Sequence, residues 1–348
     1  MNSNAYPDET KTAEVITSSK RTGRIVLAGG SGFLGKILRR SLSAAGNDVV
    51  TLTRTPRSSH EILWDGETLG KWVSQLEGAL AVINLAGKSV NCRYTARNRK
   101  LIMDSRINST RILGEAISKC ARPPVVWLNS STATIYKHSL DRVMDEGCTD
   151  FRSTAEARDA FSVSVAQAWE KVLSDARTPQ TRKTAMRTAM VLGTEEETVF
   201  RVLRRLTRWG LGGTMGNGNQ YVSWIHEDDF CHAIEWLITH ETIEGPVNLT
   251  APEPIPNREM MRTLRCICKR CHGLPAAAWM LEVGALFMRT ETELILKSRR
   301  VVPGRLLSSG FEFRFPTLET ALCDLESRLK KSQGFGVPIS SGQHSRIL

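Results

Sequence analysis

The sequence predicts an α/β fold in which helices cover both faces of a doubly wound parallel sheet. Nearly continuous apolar runs, at residues 25–28, 80–86 and 125–128, alternate with segments of helical spacing. Strands buried on both faces have such runs, whereas strands with one solvated face alternate apolar and polar residues. A chain of 348 residues can form one large domain or two unequal ones. We expect the strand–helix repeats to form the larger unit and the later, glycine-rich segments to form a smaller cap.

The individual elements are predicted in chain order from the spacing of apolar residues. A long helical pattern ends at Pro123 and Pro124, because proline lacks a backbone N–H and disfavours the helical conformation in the residue before it. Strands are expected at 25–28, 48–53, 61–65, 80–87, 125–131 and 184–187, and helices at 36–42, 69–76, 96–120 and 162–173.

The composition divides the chain into regions. The longest apolar stretch, Leu274 to Met288, is interrupted by Glu282 and is shorter than the roughly 18 residues of a membrane span, so we expect a buried or cap helix there. Both ends of the chain are polar. The expected regions are a disordered extension at 1–22, a sheet domain at 23–245, a helical cap at 246–330 and a flexible tail at 331–348.

A glycine-rich turn joins the first predicted strand to the first predicted helix. Its sequence is Gly29-Gly30-Ser31-Gly32-Phe33-Leu34-Gly35. Without Cβ atoms at Gly29 and Gly32 the backbone can approach a pyrophosphate, while Gly35 allows the helix to pack against the strand. The N-terminus of the helix adds free N–H groups and a partial positive charge. The turn therefore predicts a dinucleotide site, although glycines also cluster in ordinary turns.

The second predicted strand ends at Thr53 and Arg54, where such a βαβ unit places the residue that contacts the adenosine ribose. An acidic residue would accept hydrogen bonds from the ribose hydroxyls, whereas the Arg54 guanidinium can pair with a 2′-phosphate. The sequence therefore favours NADP(H) over NAD(H), with Thr53 and Arg54 among the cofactor-binding residues. The alternative for Arg54 is a solvated arginine at a strand end, and Arg57 is interpreted as a loop charge.

The formal net charge of +11 raises the question of nucleic-acid binding. The basic residues are spread over helical segments such as 97–100 and 201–208, and no basic run is interleaved with aromatic residues. We therefore expect neither a nucleic-acid partner nor a membrane partner. A diffuse positive surface fits an enzyme with a polyanionic ligand, or simply a soluble protein.

The polar N-terminus and the cysteines bear on cellular location. Asp8, Glu9 and Glu14 interrupt the first residues, which argues against a secretory signal or a transit peptide. Eight cysteines without an export signal indicate free thiols in a reducing compartment, so a cytoplasmic location is expected.

One cysteine cluster matches the spacing of haem attachment or a metal site. It consists of Cys266, Cys268, Cys271 and His272. We expect no metal or haem there, because residues 260–271 are predicted to form a continuous helix, on which the four side chains cannot all face one ion.

Further motifs follow in an order typical of one large family. They are Asn84-Leu85-Ala86-Gly87, Ser130-Ser131-Thr132-Ala133-Thr134-Ile135-Tyr136, Arg187-x-x-x-Val191-x-Gly193 and His226-x-Asp228-Asp229. Together with the glycine-rich turn, this order resembles the extended short-chain dehydrogenases, the nucleotide-sugar epimerase and dehydratase superfamily. The resemblance covers roughly residues 24–327 and implies an NAD(P)-binding Rossmann fold.

Other motifs resemble one branch of that superfamily. They are Asp104-Ser105-Arg106-Ile107-Asn108, Gly210-Leu211-Gly212-Gly213 and Gly310-Phe311-x-Phe313-x-Phe315-Pro316. The branch is known as epimerase family proteins, or cell-division-inhibitor-like nucleotide-sugar epimerases, with a small C-terminal domain of unknown function.

The resemblance implies roles for individual cofactor-binding residues. Leu85 and Ala86 would end a strand beneath the adenosine and pyrophosphate, where small apolar groups permit close approach. Arg106 would reach the cofactor phosphates from a helix, and Val191 would offer backbone groups near the nicotinamide. Ordinary core packing is the alternative for Leu85 and Ala86.

Residues later in the chain are assigned by the same resemblance. His226, Asp228 and Asp229 are expected to be architectural, since such side chains can cap the following helix and tie a loop to the sheet. Gln220 and Trp224 are expected on the substrate side.

The catalytic residues depart from the superfamily pattern. Hydride transfer there uses a Tyr and, four residues later on the same helix, a Lys whose charge lowers the Tyr pKa. Counting back from Glu170 places Ser162 and Ala166 at these two positions. Thr132 falls where the superfamily hydrogen-bonds the substrate oxygen, and Tyr136 is the nearest phenol. Thr132 and Tyr136 are therefore the candidate catalytic residues.

Three functions are compatible with the sequence. The chain can be an NADP(H)-dependent reductase or epimerase with an unconventional acid, such as Tyr136 or a water held by Thr132. It can also be a cofactor-binding sensor or scaffold with little turnover, or a lyase acting on a nucleotide-linked substrate. A small-molecule substrate is expected, and both a monomer and a homodimer fit the sequence.

Overall fold

Seven parallel strands form the central sheet of the computed structural model, which describes residues 22–196, 198–277, 280 and 293–334. The strands are β1 (Arg24–Ala28), β2 (Asp48–Thr53), β3 (Glu61–Leu63), β4 (Ala81–Asn84), β5 (Val126–Thr132), β6 (Arg182–Thr188) and β10 (Gly245–Leu249). Their spatial order is β10-β6-β5-β4-β1-β2-β3, so the chain starts in the middle, builds one edge and then returns to build the other. This confirms the predicted doubly wound parallel sheet.

Helices cover both faces of this sheet. Those of the described residues are α1 (Phe33–Ala44), α2 (Ala96–Ser118), α3 (Ala160–Asp175), α4 (Val199–Arg208), α5 (Glu227–Thr239), α6 (Asn257–Ile267), α7 (Glu293–Leu296), α8 (Gly304–Ser308) and α9 (Leu318–Gly334). Helices α1 and α5 pack together on one face, and α2 and α3 pack together on the other.

Shorter elements complete the chain. The strands β7 (Met190–Leu192) and β9 (Trp224–His226) pair in parallel, and β8 (Tyr221–Val222) pairs antiparallel with β11 (Ile255–Pro256). Turns of 3₁₀-helix span Lys71–Leu76 and Ala133–Ile135. The first of these replaces most of the helix predicted at 69–76.

Alternate residues of each central strand enter different apolar cores. In β1, Ile25 and Leu27 pack with α1 and α5, whereas Val26 and Ala28 pack on the side of α2, and all four are fully buried. Successive side chains of a strand point to opposite faces of the sheet. An uninterrupted apolar run is therefore what a strand between two helical layers requires.

A smaller apolar core lies between α4, α6 and α9. Met261 and Leu325 are fully buried members of it. Helix α4 precedes β10 in the sequence and α6 follows it, so this lobe uses segments from both sides of the last sheet strand. The boundary predicted at residue 245 falls at the first residue of β10, which continues to Leu249, while α4 of the smaller lobe precedes this strand.

Two predicted helices also need correction. The helix predicted at 260–271 ends at Ile267, because Cys268 forms its C-cap and Lys269 has a positive φ of 54°. Leu274 does not begin a helix, since residues 274–277 are non-helical and Ala276 forms a bridge with the strand-like residue Met215.

Parts of the predicted terminal and cap regions lie outside the described residues. These are residues 1–21 of the extension, residues 335–348 of the tail, and most of the 274–288 segment, including Trp279, Leu281, Phe287 and Met288. Residues 331–334, which were assigned to the tail, continue α9.

The described residues show no helix that is both long and apolar enough to cross a membrane. Nor does this part of the chain hold three or more His, Cys, Asp or Glu side chains placed to bind one metal ion. All eight cysteines carry free thiols.

We expect Leu27→Ala to lower the free energy of unfolding by about 2–5 kcal/mol, because truncation of this fully buried side chain leaves a cavity. Leu63→Ala is the matched control, since Leu63 on the edge strand is 66% exposed and its truncation should change the stability by less than about 0.5 kcal/mol. Urea denaturation followed by circular dichroism measures both. Equal losses in the two variants would contradict the packing described above.

Candidate functional site

The turn from β1 to α1 leaves no room for side chains at two of its glycines. Gly29 has a φ of +75°, and a Cβ there would lie 2.6 Å from the Cα of Ala86. A Cβ on Gly35 would overlap the carbonyl group of Gly30. The close neighbour of Gly35 is thus the turn itself, and not the strand as predicted. These two contacts hold α1 against the end of the sheet.

Gly32, by contrast, faces open space, since no atom lies within 4 Å of the position of a Cβ. Gly32 is the N-cap of α1, and the first turn of this helix contains no acidic residue. The first N–H groups of a helix have no partner within the helix and carry a partial positive charge. The turn therefore offers donors, positive potential and room for an anion, as a pyrophosphate site requires.

A cleft of about 480 Å³ opens in front of the turn, at the carboxyl ends of the sheet strands. Ligands of open α/β sheets bind at this edge. The predicted site residues that line the cleft are Gly29, Gly32, Phe33, Leu34, Gly35, Leu85, Arg106 and Thr132. The lining residues missed by the sequence analysis include Lys88, Tyr94, Thr134, Phe161, Trp169 and Thr188. Thr188 ends β6, so the predicted strand end could have indicated it.

The other predicted cofactor residues are not part of the lining of this cleft. They are Gly30, Ser31, Thr53, Arg54, Ala86 and Val191. Ala86 lies against Gly29, as described above. Val191 pairs with Ile225 in the small parallel sheet and packs against the core on the side of α1 and α5.

Arg54 is exposed directly beyond β2, beside the glycine turn. The Gly29 N–H donates to the carbonyl oxygen of Leu52 over 3.0 Å, which fixes the turn against this strand. Thr53 is buried at the strand end, where its Oγ1 accepts a hydrogen bond from the Thr55 N–H. Within the described ranges the Arg54 side chain has no hydrogen bond or ion pair. A guanidinium in this position is available for a ligand phosphate.

Arg106 places a half-buried cation on the wall of the cleft formed by α2. Its Nη1 donates to the carbonyl oxygens of Lys88 and Ile102, each over 3.0 Å, and its guanidinium lies 5.0 Å from the centre of the Trp169 ring. Burial lowers the pKa of Arg106 to about 10, so the side chain stays charged at neutral pH. No carboxylate in the described part of the chain pairs with it. Such a cation is a suitable partner for a phosphate.

The structure does not bring Tyr136 into the cleft. Its hydroxyl is fully buried, where it donates to Asn248 Oδ1 and accepts from Arg187 Nη1, each over 2.9 Å. Burial raises the pKa of Tyr136 to about 12. The 3₁₀ turn after β5, capped by the Thr132 hydroxyl, directs the chain back into the protein. This corrects the expectation that Tyr136 faces the reacting atoms as an acid.

Tyr136 belongs instead to a polar network beneath the cleft. Arg187 binds the Glu170 carboxylate twice, with Nε–Oε1 and Nη2–Oε2 distances of 2.8 and 2.7 Å. The Ser131 hydroxyl donates to the same carboxylate over 2.5 Å. Asn248 links the network to the segment before α8, because its Nδ2 donates to the carbonyl oxygen of Val302. It therefore ties three sheet strands and α3 to the C-terminal region.

His226 and Asp229 have the architectural roles expected of them. His226 Nδ1 accepts a hydrogen bond from the Asp228 N–H and so caps α5. The Asp229 carboxylate accepts from the N–H groups of Arg314 and Phe315, over 2.8 and 3.0 Å. The loop before α9 is thereby tied to the sheet domain.

Two residues expected on the substrate side lie in the smaller lobe instead. The Gln220 amide is buried and donates to the carbonyl oxygen of Met215 over 2.9 Å. Trp224 is fully buried in the apolar core between α4 and α6. At these two positions the resemblance did not distinguish a cleft wall from this second core.

The residues from β1 to β10 match a known family as a unit. The model described as the NAD dependent epimerase/dehydratase family covers residues 25–249, well over half of the chain. The chain belongs to this family. Residues 276–325 match a second model, described as a domain of unknown function (DUF1731), which confirms the predicted epimerase-like branch with its small C-terminal domain.

Curated members of the epimerase/dehydratase family match over nearly their whole length. The epimerase family protein YfhF of Bacillus subtilis is 31% identical over 310 residues, which are 86% of this chain and 97% of the relative. The human epimerase family protein SDR39U1 is 30% identical over 307 residues, which are 87% of this chain and 99% of the relative.

Solved structures of the family share the fold. The crystal structure of human SDR39U1 (isoform 2) with NADPH has a TM-score of 0.78 at 27% identity, over 87% of this chain and 99% of that chain. A nucleoside-diphosphate sugar epimerase from Corynebacterium glutamicum has a TM-score of 0.71 at 22% identity, over 90% of this chain and 61% of that chain. The second likeness bears on the fold alone.

In this family member the expected Tyr and Lys positions of α3 hold other groups. Ser162 lines the cleft, and its Oγ donates to Oε2 of Glu293 over 2.7 Å. The fully buried Lys297 Nζ lies 2.6 Å from Oδ2 of Asp159, at the N-cap of α3. The sequence analysis missed Glu293 and Lys297, because they follow Ser162 by more than a hundred positions and no spacing rule connects them.

We expect Arg187→Met to lower the free energy of unfolding by about 3–5 kcal/mol, because it leaves the Glu170 charge without its partner in a mostly buried site. Lys171→Met removes the exposed ion pair of Lys171 with Asp175 on the same helix, and should cost less than about 1 kcal/mol. Chemical denaturation at pH 7 compares the two. A similar small loss in both variants would show that the network does not stabilise the fold.

Proposed function

We propose that this chain binds NADP(H) in the cleft and uses it to oxidise, reduce or epimerise a small-molecule substrate. Two observations carry the proposal. The glycine turn is open at Gly32, and Arg54 is exposed beyond the adjacent strand with no hydrogen bond or ion pair to any described residue. The human relative, whose crystal structure is described with NADPH, supports the choice of cofactor.

The residues present fit the cofactor at its charged groups. The N–H groups at the start of α1 would bind the pyrophosphate, because Gly32 leaves space for it. Arg54 would bind the 2′-phosphate, and Arg106 would add a second positive charge on the opposite wall. Leu85, at the end of β4, would contact the adenosine. When bound, the cofactor would supply or accept a hydride at its nicotinamide ring.

Thr132 is the residue that we assign to the substrate oxygen. Its Oγ1 accepts a hydrogen bond from the Thr134 N–H over 3.1 Å, and its hydroxyl hydrogen has no acceptor among the residues described. The neighbouring Ser131 hydroxyl is already bound to Glu170. Thr132 is therefore a donor on the cleft wall that is available for a ligand, whereas Tyr136 is not.

The second candidate is an NADPH-binding sensor or scaffold with little turnover. The observation that favours it is that the two family positions on α3 hold neither the phenol nor the lysine, since Ser162 and the fully buried Ala166 stand there. Free thiols throughout support the proposal of a reducing compartment such as the cytoplasm.

We expect Arg54→Asp to weaken NADPH binding about 10- to 100-fold, the effect of losing a charged hydrogen bond worth roughly 1.5–3 kcal/mol. NADH has no 2′-phosphate, so its affinity should stay the same or rise. Fluorescence titration of both nucleotides measures the ratio. Arg262→Asp, an exposed arginine on α6, is the control for the charge change. An unchanged NADPH-to-NADH ratio in Arg54→Asp would show that the 2′-phosphate lies elsewhere.

An activity assay distinguishes the two candidate functions. It measures NADPH oxidation in the presence of a panel of aldehydes, ketones and nucleotide-linked keto-sugars. If the chain is an enzyme, Thr132→Val should lower kcat about 100-fold at an unchanged Kd for NADPH, because a preorganised donor to the reacting oxygen is lost. Thr263→Val, on α6, should have no effect. Tight NADPH binding without oxidation of the cofactor by any compound of the panel would support the sensor.

A further inference from the structure

Buried charged side chains of the C-terminal region lie behind α3, next to the cleft. Glu293 begins α7, and Lys297 follows one helical turn later, with its N–H donating to the carbonyl oxygen of Glu293 over 3.1 Å. The two residues are 7% and 1% exposed, and Asp159 of the α3 N-cap is fully buried. Charged side chains are almost never this deeply buried without a partner or a function.

Ser162 connects this cluster to the cleft. Its side chain lines the cleft, while its hydroxyl donates to Glu293 Oε2 over 2.7 Å. The other carboxyl oxygen of Glu293, Oε1, is buried without a hydrogen-bond partner among the described residues. An ionised carboxylate would place negative charge on this oxygen without a hydrogen bond, whereas a carboxyl group protonated on Oε2 would leave Oε1 as a neutral carbonyl oxygen.

The charges around Glu293 are mixed. Burial raises the pKa of Glu293, and the negative charge of Asp159 acts in the same direction. The Ser162 hydrogen bond and the positive charges of Arg299 and Lys297 oppose this shift. The carboxyl group thus holds a proton at higher pH than usual, and the two cations can stabilise the carboxylate once the proton has left.

Lys297 extends the cluster towards the substrate side. Its Nζ lies 2.6 Å from Asp159 Oδ2 and donates to the carbonyl oxygen of Thr134 over 2.6 Å. Thr134 lines the cleft and donates its N–H to Thr132 Oγ1. A positive charge therefore stands next to the site, as it does in the family pattern, but on a different segment of the chain.

We propose that Glu293 and Ser162 form a proton relay that replaces the missing phenol, with Lys297 as a positioning residue. The proposal rests on the proposed function, in which a carbonyl substrate receives a hydride in the cleft. As the hydride reaches the carbonyl carbon, the C=O electron pair moves to oxygen and takes the proton of the Ser162 hydroxyl. For this step Oε2 of Glu293 carries the proton and donates it to Ser162 Oγ, while the Ser162 hydroxyl hydrogen turns from Glu293 to the substrate oxygen. The Glu293 carboxylate regains a proton from solvent before the next turnover. The product is an alcohol, and oxidation follows the same path in reverse.

The stored proton can be tested without any ligand. Because the pKa of Glu293 is higher in the folded than in the unfolded chain, the folded protein binds more protons between the two values, and its stability falls as pH rises through that window. Glu293→Gln lacks this contribution. The difference in unfolding free energy between wild type and Glu293→Gln should therefore decline as pH rises from about 4.3, the ordinary pKa of a glutamate. Glu312→Gln, an exposed carboxylate, is the matched control for the substitution and should leave the slope unchanged.

Turnover of the carbonyl compound found in the panel tests the relay itself. Ser162→Ala and Glu293→Gln should each lower kcat about 100-fold at an unchanged Kd for NADPH, since general acid catalysis contributes at least this factor. Wild-type kcat for reduction should fall as pH rises past the pKa of Glu293, and Glu293→Gln should lose that pH dependence. Ser164→Ala, an exposed serine on α3 whose hydroxyl bonds to the Phe161 carbonyl, should leave kcat unchanged.

Different experimental results would contradict the proton relay and the proposed enzymatic function. A stability difference that does not vary with pH overturns the relay even if the protein reduces carbonyl compounds. Full turnover in Ser162→Ala or in Glu293→Gln overturns it as well. Binding of NADPH without turnover of any carbonyl compound contradicts the proposed enzymatic function, and the relay fails with it.

Discussion

The close approach of the glycine turn to the end of β4 determines the geometry of the cleft. Gly29 lies against Ala86, and Gly35 lies against Gly30, so α1 begins level with the carboxyl edge of the sheet. A side chain at Gly29 or Gly35 would push the helix outward and move its N–H donors away from the cleft. Gly32, in the same turn, leaves open space in front of the N-terminus of α1, where a ligand can approach. Glycine is thus needed at two positions for close packing of the backbone, and at a third to leave room for a ligand.

The sequence predicted the parts of the site that depend on local structure. The glycine turn, β2 and Arg54 lie within one βαβ unit, and the pattern of that unit fixes their relative positions. Arg106 and Thr132 were indicated by the family resemblance, and both line the cleft. Apolar runs buried on both faces were sufficient to identify the sheet and its two helical layers.

The direction of Tyr136 and the contact of Ser162 with Glu293 were beyond such reasoning. Tyr136 follows a strand end as expected, but its hydroxyl turns inward because Arg187 and Asn248 offer buried partners from two other strands. Glu293 reaches Ser162 from another region of the chain, across 131 positions. Neither periodicity nor motif spacing contains this information. The order of segments in the smaller lobe is likewise absent from these patterns, since β10 completes the sheet after that lobe has begun.

This interleaving of the two lobes restricts how the protein can change in evolution. The chain enters the smaller lobe at α4, returns to the sheet at β10 and leaves again for α6. A chain that ended after Leu249 would retain the whole sheet but would expose Phe200 and Trp224, which α6 and α9 cover. The smaller lobe therefore cannot be lost or exchanged by a single recombination event. The lobe and the sheet are expected to be inherited together, and the lobe to change by substitution of single residues.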